Sequence, residues 1–238
     1  MINSTTTNVN WLDTLTGQTL FFGVLAKLIY VYPEKKWIES LIAEDVFAEV
    51  PFASHQADVV AGLNLMQSWC HAHRDGLSME EFDDLRADFT HLFLGPAKAP
   101  AAPWESVYFC DERLVFQQQT LQVREWYARF GLEPINLHKE PDDHIGLELE
   151  FLAHLAKLGV QALEVNDSVR FDELLKAQRE FLAAHPIKFF MEWCQLVEDN
   201  AKTDFCRAMA LLTRGSLTEL AMMLDVPIPP MVERSAQS

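Results

Sequence analysis

The chain has 238 residues, and at ~100–200 residues per domain it forms one large domain or two small ones. Nine Gly and eleven Pro fall below average usage, which favours long helices and disfavours collagen-like, disordered and many-stranded β folds. Nineteen basic against thirty-five acidic side chains give a net charge of −16. Such a field repels nucleic-acid backbones and anionic membrane surfaces and attracts basic partners.

Residues 1–10 are polar and read as a flexible tail. Leu12, Leu15, Thr19, Phe22, Leu25 and Ile29 then recur at three- and four-residue steps, predicting a core helix that ends near Tyr32-Pro33. A second helix is expected over about Glu34 to Glu49, stopped by Pro51, and a third over Ser54 to His73. Ser78-Met79-Glu80-Glu81 is a capping-box pattern that starts a fourth, carrying Phe82, Leu85, Phe89 and Leu92 up to Gly95-Pro96.

From Gly95 to about Asp111 four Gly and Pro residues forbid a continuous helix, so a long loop rich in aromatics is predicted. Helices are expected over Glu112 to Phe130, closed by Gly131, and from Pro141 to Gly159. In the latter, proline suits the first turn, and Asp142 and Asp143 suit the positive end of the helix dipole. Three more follow: Val169 to Ala184, Pro186 to Glu198 and Asp204 to Leu224. The sum is an all-α fold of about nine helices, a single domain over 11–230 with a short tail at 231–238. Two subdomains meeting near 95–140 are the alternative.

Nucleotide and metal templates fail. None of the nine glycines is two residues from another and none precedes Lys, so neither a dinucleotide fingerprint nor a phosphate loop exists. No Glu-x-x-His or His-Glu-x-x-His occurs, and Cys70-His71-Ala72-His73 points its ligands in different directions around one helix turn. The cysteines form no Cys-x-x-Cys pair and fit reduced core thiols. The first basic residue is Lys27, so no export signal is read and a cytoplasmic protein is expected. The most apolar stretch, Leu20 to Tyr32, is too short to span ~30 Å of hydrocarbon.

Two segments stand out. In Leu92-Phe93-Leu94-Gly95-Pro96, continuing through Pro103-Trp104, prolines and aromatics share one loop, either as a stiff surface for a peptide or as plugs of the bundle. In Glu140-Pro141-Asp142-Asp143-His144 a histidine follows three acids, either at a plain helix start or as an acid/base or cation-binding group.

At these points the chain resembles the redox-enzyme maturation chaperones of the TorD/DmsD type, and more distantly the nitrate-reductase chaperone NarJ. The resemblance rests on Leu92 to Pro96, Ala102 to Tyr108, Thr120 to Arg124 and Glu140 to His144, in the family's order and approximate spacing. It is clearest over about residues 85–158. It implies an all-helical cytoplasmic protein without catalysis or a cofactor of its own. Its partners would be the twin-arginine signal peptide and apo form of a molybdenum-cofactor oxidoreductase, of the dimethyl sulfoxide or trimethylamine oxide reductase type. Carried over by position, the signal-peptide surface would comprise Leu92, Phe93, Pro103, Trp104, Asp143 and His144. Glu105 and Gln117 stand where the family often has Gly, and Glu105 is expected to add an acid to the groove. A mainly monomeric chain is expected, with helix exchange as the route to a dimer. The competing readings are a nucleotide-binding or catalytic protein using Asp143 and His144, and a purely structural adaptor.

Overall fold

The computed structural model describes residues 10–94, 99–109, 112–133 and 140–230. The expected tails, apart from Asn10, and Gly95, Pro96 and Cys110 lie outside them. Nine α-helices are found among these residues: α1 (Trp11–Tyr30), α2 (Lys35–Ala43), α3 (Ala57–Ala72), α4 (Met79–Phe89), α5 (Gln118–Arg129), α6 (Ile145–Glu164), α7 (Ser168–Ala184), α8 (Phe190–Asn200) and α9 (Asp204–Met223). A π-helical turn (Thr90–Leu94) extends α4, and 3-10 turns occupy Glu105–Tyr108 and Pro186–Lys188.

The helices pack as two groups that share one core. Helix α6 lies between α1 and α7, α9 lies against α3 and α8, and α1 touches α9. The apolar stripes read from the sequence supply that core: Phe22 and Leu25 of α1, Leu149 and Leu152 of α6, and Met209 and Leu212 of α9 are fully buried. Close approach of α3 and α9 depends on Gly215, where a Cβ would stand 2.7 Å from the Val59 backbone nitrogen. The capping box at Ser78 is complete: its hydroxyl accepts from the Glu81 N–H and the Glu81 carboxylate accepts from the Ser78 N–H at 2.8 Å. Buried Asp88, on the inner face of α4, accepts from the Lys202 and Thr203 N–H groups and the Thr203 hydroxyl, and so fixes the start of α9.

Four boundaries differ from expectation for identifiable reasons. Helix α2 stops at Ala43 because Asp45 adopts a left-handed φ of 50°, a conformation that a helix cannot continue through. Arg113 and Phe116 take φ of 54° and 59°, delaying α5 from residue 112 to Gln118. The helix expected from Pro186 is divided into a 3-10 turn and α8. Finally, Pro141-Asp142-Asp143 is not a first helical turn: α6 begins at Ile145, with His144 as its extended N-cap. The residues before it are pulled into a pairing with another segment.

Candidate functional site

That pairing joins two stretches 40 residues apart in sequence. Trp104 and His144 face each other in an antiparallel bridge. The Ile145 N–H donates to the Pro103 carbonyl and the Glu105 N–H to the Asp143 carbonyl, both at 2.8 Å. Proline has no N–H to leave unpaired, so Pro103 can enter the bridge as an acceptor alone.

Side chains then lock the seam. Asp143, fully buried, accepts the Ser106 N–H on Oδ2 at 2.7 Å and the Thr120 hydroxyl on Oδ1 at 2.6 Å. Asp142 accepts the Arg124 Nε–H at 2.6 Å, while its carbonyl accepts the Tyr127 hydroxyl at 3.2 Å. Thr120, Arg124 and Tyr127 are four and three residues apart, one face of α5. Burial, followed by the nearby carboxyls of Glu148, Asp142 and Asp143, pushes the Tyr127 phenol well above its ordinary value.

The His144 Nδ1 accepts the Gly146 N–H at 3.0 Å and caps α6. In the neutral ring the proton therefore sits on Nε2. Burial pushes this imidazole down to about 3, so it is uncharged at neutral pH. Its ring meets Tyr30 edge-on at 5.1 Å and Trp104 at 6.0 Å. Tyr30 comes this near because position 146 is Gly: a Cβ there would stand 2.9 Å from the Tyr30 Cβ.

Leu92 and Phe93, in the π-helical turn, connect to the same seam from below. The Leu92 carbonyl accepts the Ala101 N–H at 3.1 Å, and Phe93 stacks on Trp193, whose indole N–H donates to the Ala101 carbonyl at 3.2 Å. The six residues picked from the sequence are thus brought into one connected unit. They are not all on the surface, however. Leu92, Phe93, Pro103, Asp143 and His144 are buried, and only Trp104 is partly exposed. This corrects the expectation that His144 reaches the surface and that Asp143 meets a cation from a first helical turn: the bridge turns both inward.

Glu105 is likewise turned inward, not into a groove. It is fully buried, with its carboxylate 2.8 Å from the Nδ1 of buried His185. Burial raises the Glu105 carboxyl above its ordinary value against the pull of that imidazole. Glu148, one turn into α6, is buried with neither carboxyl oxygen hydrogen-bonded. Burial first, then the carboxyls of Glu105 and Asp143, hold it well above the carboxylate range.

Beside the seam a cavity of about 300 Å³ opens between α5, α6 and the end of α1. Its walls are Tyr30, Tyr127, Leu132, Leu147 and Phe151. Glu133, Glu140, Asp142 and Glu150 also line it, while no Lys or Arg does so among the described residues. His154, also in the lining, has an Nε2 without a hydrogen-bond partner, and burial lowers its pKa. Sequence reading missed this cavity and His154. It also missed Tyr30, whose neighbour in space is over 100 residues away. The spacing of Thr120, Arg124 and Tyr127 was the one available signal.

Over half of the chain, residues 57–195, matches the family model described as nitrate reductase delta subunit, and the chain belongs to that family. Its curated relatives include TorD chaperones and DmsD Tat proofreading chaperones. The chaperone protein TorD of Vibrio cholerae is 34% identical over 114 residues, 47% of this chain and 50% of that protein. The chain thus spans about half the length of the TorD relatives it matches. The Tat proofreading chaperone DmsD of Salmonella typhimurium is 26% identical over 209 residues, 86% of this chain and 89% of that one. A solved structure of a redox enzyme maturation protein from Archaeoglobus fulgidus aligns with a TM-score of 0.45 at 19% identity, covering 90% of this chain and 98% of that chain. Among the described residues no helix is long and apolar enough to cross a membrane.

Proposed function

We propose that the protein is a cytoplasmic, mainly monomeric chaperone that binds the twin-arginine signal peptide and apo form of a molybdenum-cofactor oxidoreductase and holds it until the cofactor is in place. The client is of the dimethyl sulfoxide or trimethylamine oxide reductase type. The observation that carries this reading is the cavity beside the Asp142–His144 motif, which combines aromatic and aliphatic walls with four carboxylates in a chain of charge −16. A signal peptide joins a cationic start to an apolar stretch, and needs both. The chain leading into α5 and the first turn of that helix add apolar surface: Phe109, Leu114, Phe116 and Leu121 are about half exposed.

Trp104 is the member of the motif set that touches the peptide. Leu92, Phe93, Pro103, Asp143 and His144 act by holding the Trp104 strip against α6. Acid–base catalysis by Asp143 and His144 is disfavoured, because both carboxylate oxygens and the imidazole Nδ1 are engaged inside the seam.

Titration of twin-arginine peptides into the full chain tests the reading. A peptide with its apolar stretch intact binds, and one with that stretch made polar does not. Salt slows association more than it speeds dissociation, because screening removes steering and leaves apolar contacts. Trp104→Ala weakens binding at least about tenfold with the fold retained. Equal binding of the polar peptide overturns the reading.

A further inference from the structure

We propose that the cavity between α5, α6 and α1 is a seat for one arginine side chain, selective for guanidinium over ammonium, so that the two arginines of a bound signal peptide are read unequally. The inference rests on the signal-peptide reading above and sharpens it to a single side chain.

Size comes first. About 300 Å³ is room enough for a long side chain with its stem, and a second guanidinium placed beside the first would be repelled by it. The second cation of a pair therefore stays at the rim, where Glu133 and Glu150 are exposed and solvent screens its attraction.

Chemistry of the lining comes second. Tyr30, Tyr127 and Phe151 provide aromatic surface, on which a planar, weakly hydrated guanidinium stacks better than a compact, strongly hydrated ammonium. Glu140 and Asp142 offer carboxylate acceptors. Asp142 already holds the Arg124 Nε–H through Oδ2, so its position is fixed before a ligand arrives.

Third is His154. Burial lowers its pKa, with Lys157 adding to the shift and Glu150 and a hydrogen bond to the Phe130 backbone opposing it. The ring is neutral, and its bond to a backbone acceptor leaves Nε2 as the free lone pair. That nitrogen has no partner. The cavity thus gains an acceptor without a positive charge, which suits a group with five donors and no acceptor.

The experiment uses the full chain and four peptides that keep one apolar stretch and carry Arg-Arg, Lys-Arg, Arg-Lys or Lys-Lys ahead of it, titrated by calorimetry. The expected result is asymmetry: lysine at one position weakens binding at least about tenfold, and at the other at most about threefold. Citrulline, which keeps the shape and loses the charge, reproduces the larger loss at the same position. Glu150→Gln and Glu140→Gln each weaken the Arg-Arg peptide about threefold. His154→Phe keeps a ring, removes the acceptor and narrows the gap between arginine and lysine. Glu150 is exposed, so its variant folds even if the histidine variant does not. Equal binding of all four peptides overturns the arginine seat and leaves the signal-peptide reading standing. Binding by none of them overturns both.

Discussion

The two ends of the molecule are stabilised by different means. Where α3, α8 and α9 meet, the interior is mainly apolar: buried Asp88 is fully engaged at the start of α9, and among the described residues of these three helices only the Ser216 hydroxyl is a buried side-chain polar group without a partner. There Arg214 grips Asp58 through two bonds of 2.7 and 3.0 Å and pairs with Glu198. Cys194 and Cys206 lie inside, their thiols pushed well up by burial, which keeps them as unreactive thiols. Along the 103–106/142–148 seam the interior is polar instead. Glu105, Asp143, His144, Glu148 and His185 are all buried within it, and the Trp104 indole nitrogen, the Ser106 hydroxyl and both Glu148 oxygens have no partner. Buried polar groups without partners cost stability, and natural folds keep such costs mainly where function asks for them. The α3–α9 end is therefore the frame and the seam the working part.

Trp193 sits where the two meet, and replacing it should have the largest effect. It is fully buried, stacks on Phe93 and donates to the Ala101 carbonyl. Trp193→Ala should cost about 3–5 kcal/mol, seen as a fall in the urea midpoint at an unchanged m-value. A loss below about 1.5 kcal/mol would mean that frame and seam are not joined through this ring.

Asp88→Ala tests the frame alone. It strips the acceptor from two backbone N–H groups and a hydroxyl at the start of α9. The expected cost is about 1–3 kcal/mol. Peptide affinity at a temperature well below melting should not change. An equal loss of affinity would show that the two ends are coupled.

The frame was legible in the sequence and the seam was not, for a physical reason. Apolar residues at three- and four-residue steps depend only on helix geometry, so α1, α4 and α9 could be placed within a few residues, and the Ser78 capping box is a purely local signal. Pro141, Asp142 and Asp143 satisfied every local rule for a helix start as well. What overrode those rules lies far away in sequence: the Pro103 and Glu105 backbones, and the Thr120 and Arg124 side chains that consume both carboxylates. The motif residues could be named, yet whether they faced solvent could not. Their burial follows from a bridge between residues 104 and 144 that no periodicity encodes. The same holds for the cavity, one wall of which is Tyr30, held close to α6 where position 146 is Gly.

The smallest effect is the most specific to the seam. Glu148 has a folded pKa raised above its unfolded value of about 4.3. Between those two values the folded chain holds a proton that the unfolded chain has released, so stability falls as pH rises through this window. The groups around it do not relieve the cost: Glu105 and Asp143 are themselves carboxyls, and Tyr127 and His144 bring no positive charge at neutral pH. Glu148→Gln keeps the shape and removes the titration. Melting temperatures of the two proteins should therefore agree near pH 4.5 and separate as pH rises, with the variant about 2–4 °C higher by pH 8, the shift expected for about 1 kcal/mol in a chain of this size. A gap that is constant with pH would mean that Glu148 is charged and paired in the folded protein. In that case the seam would be as well satisfied as the frame, and the contrast between the two ends would fail.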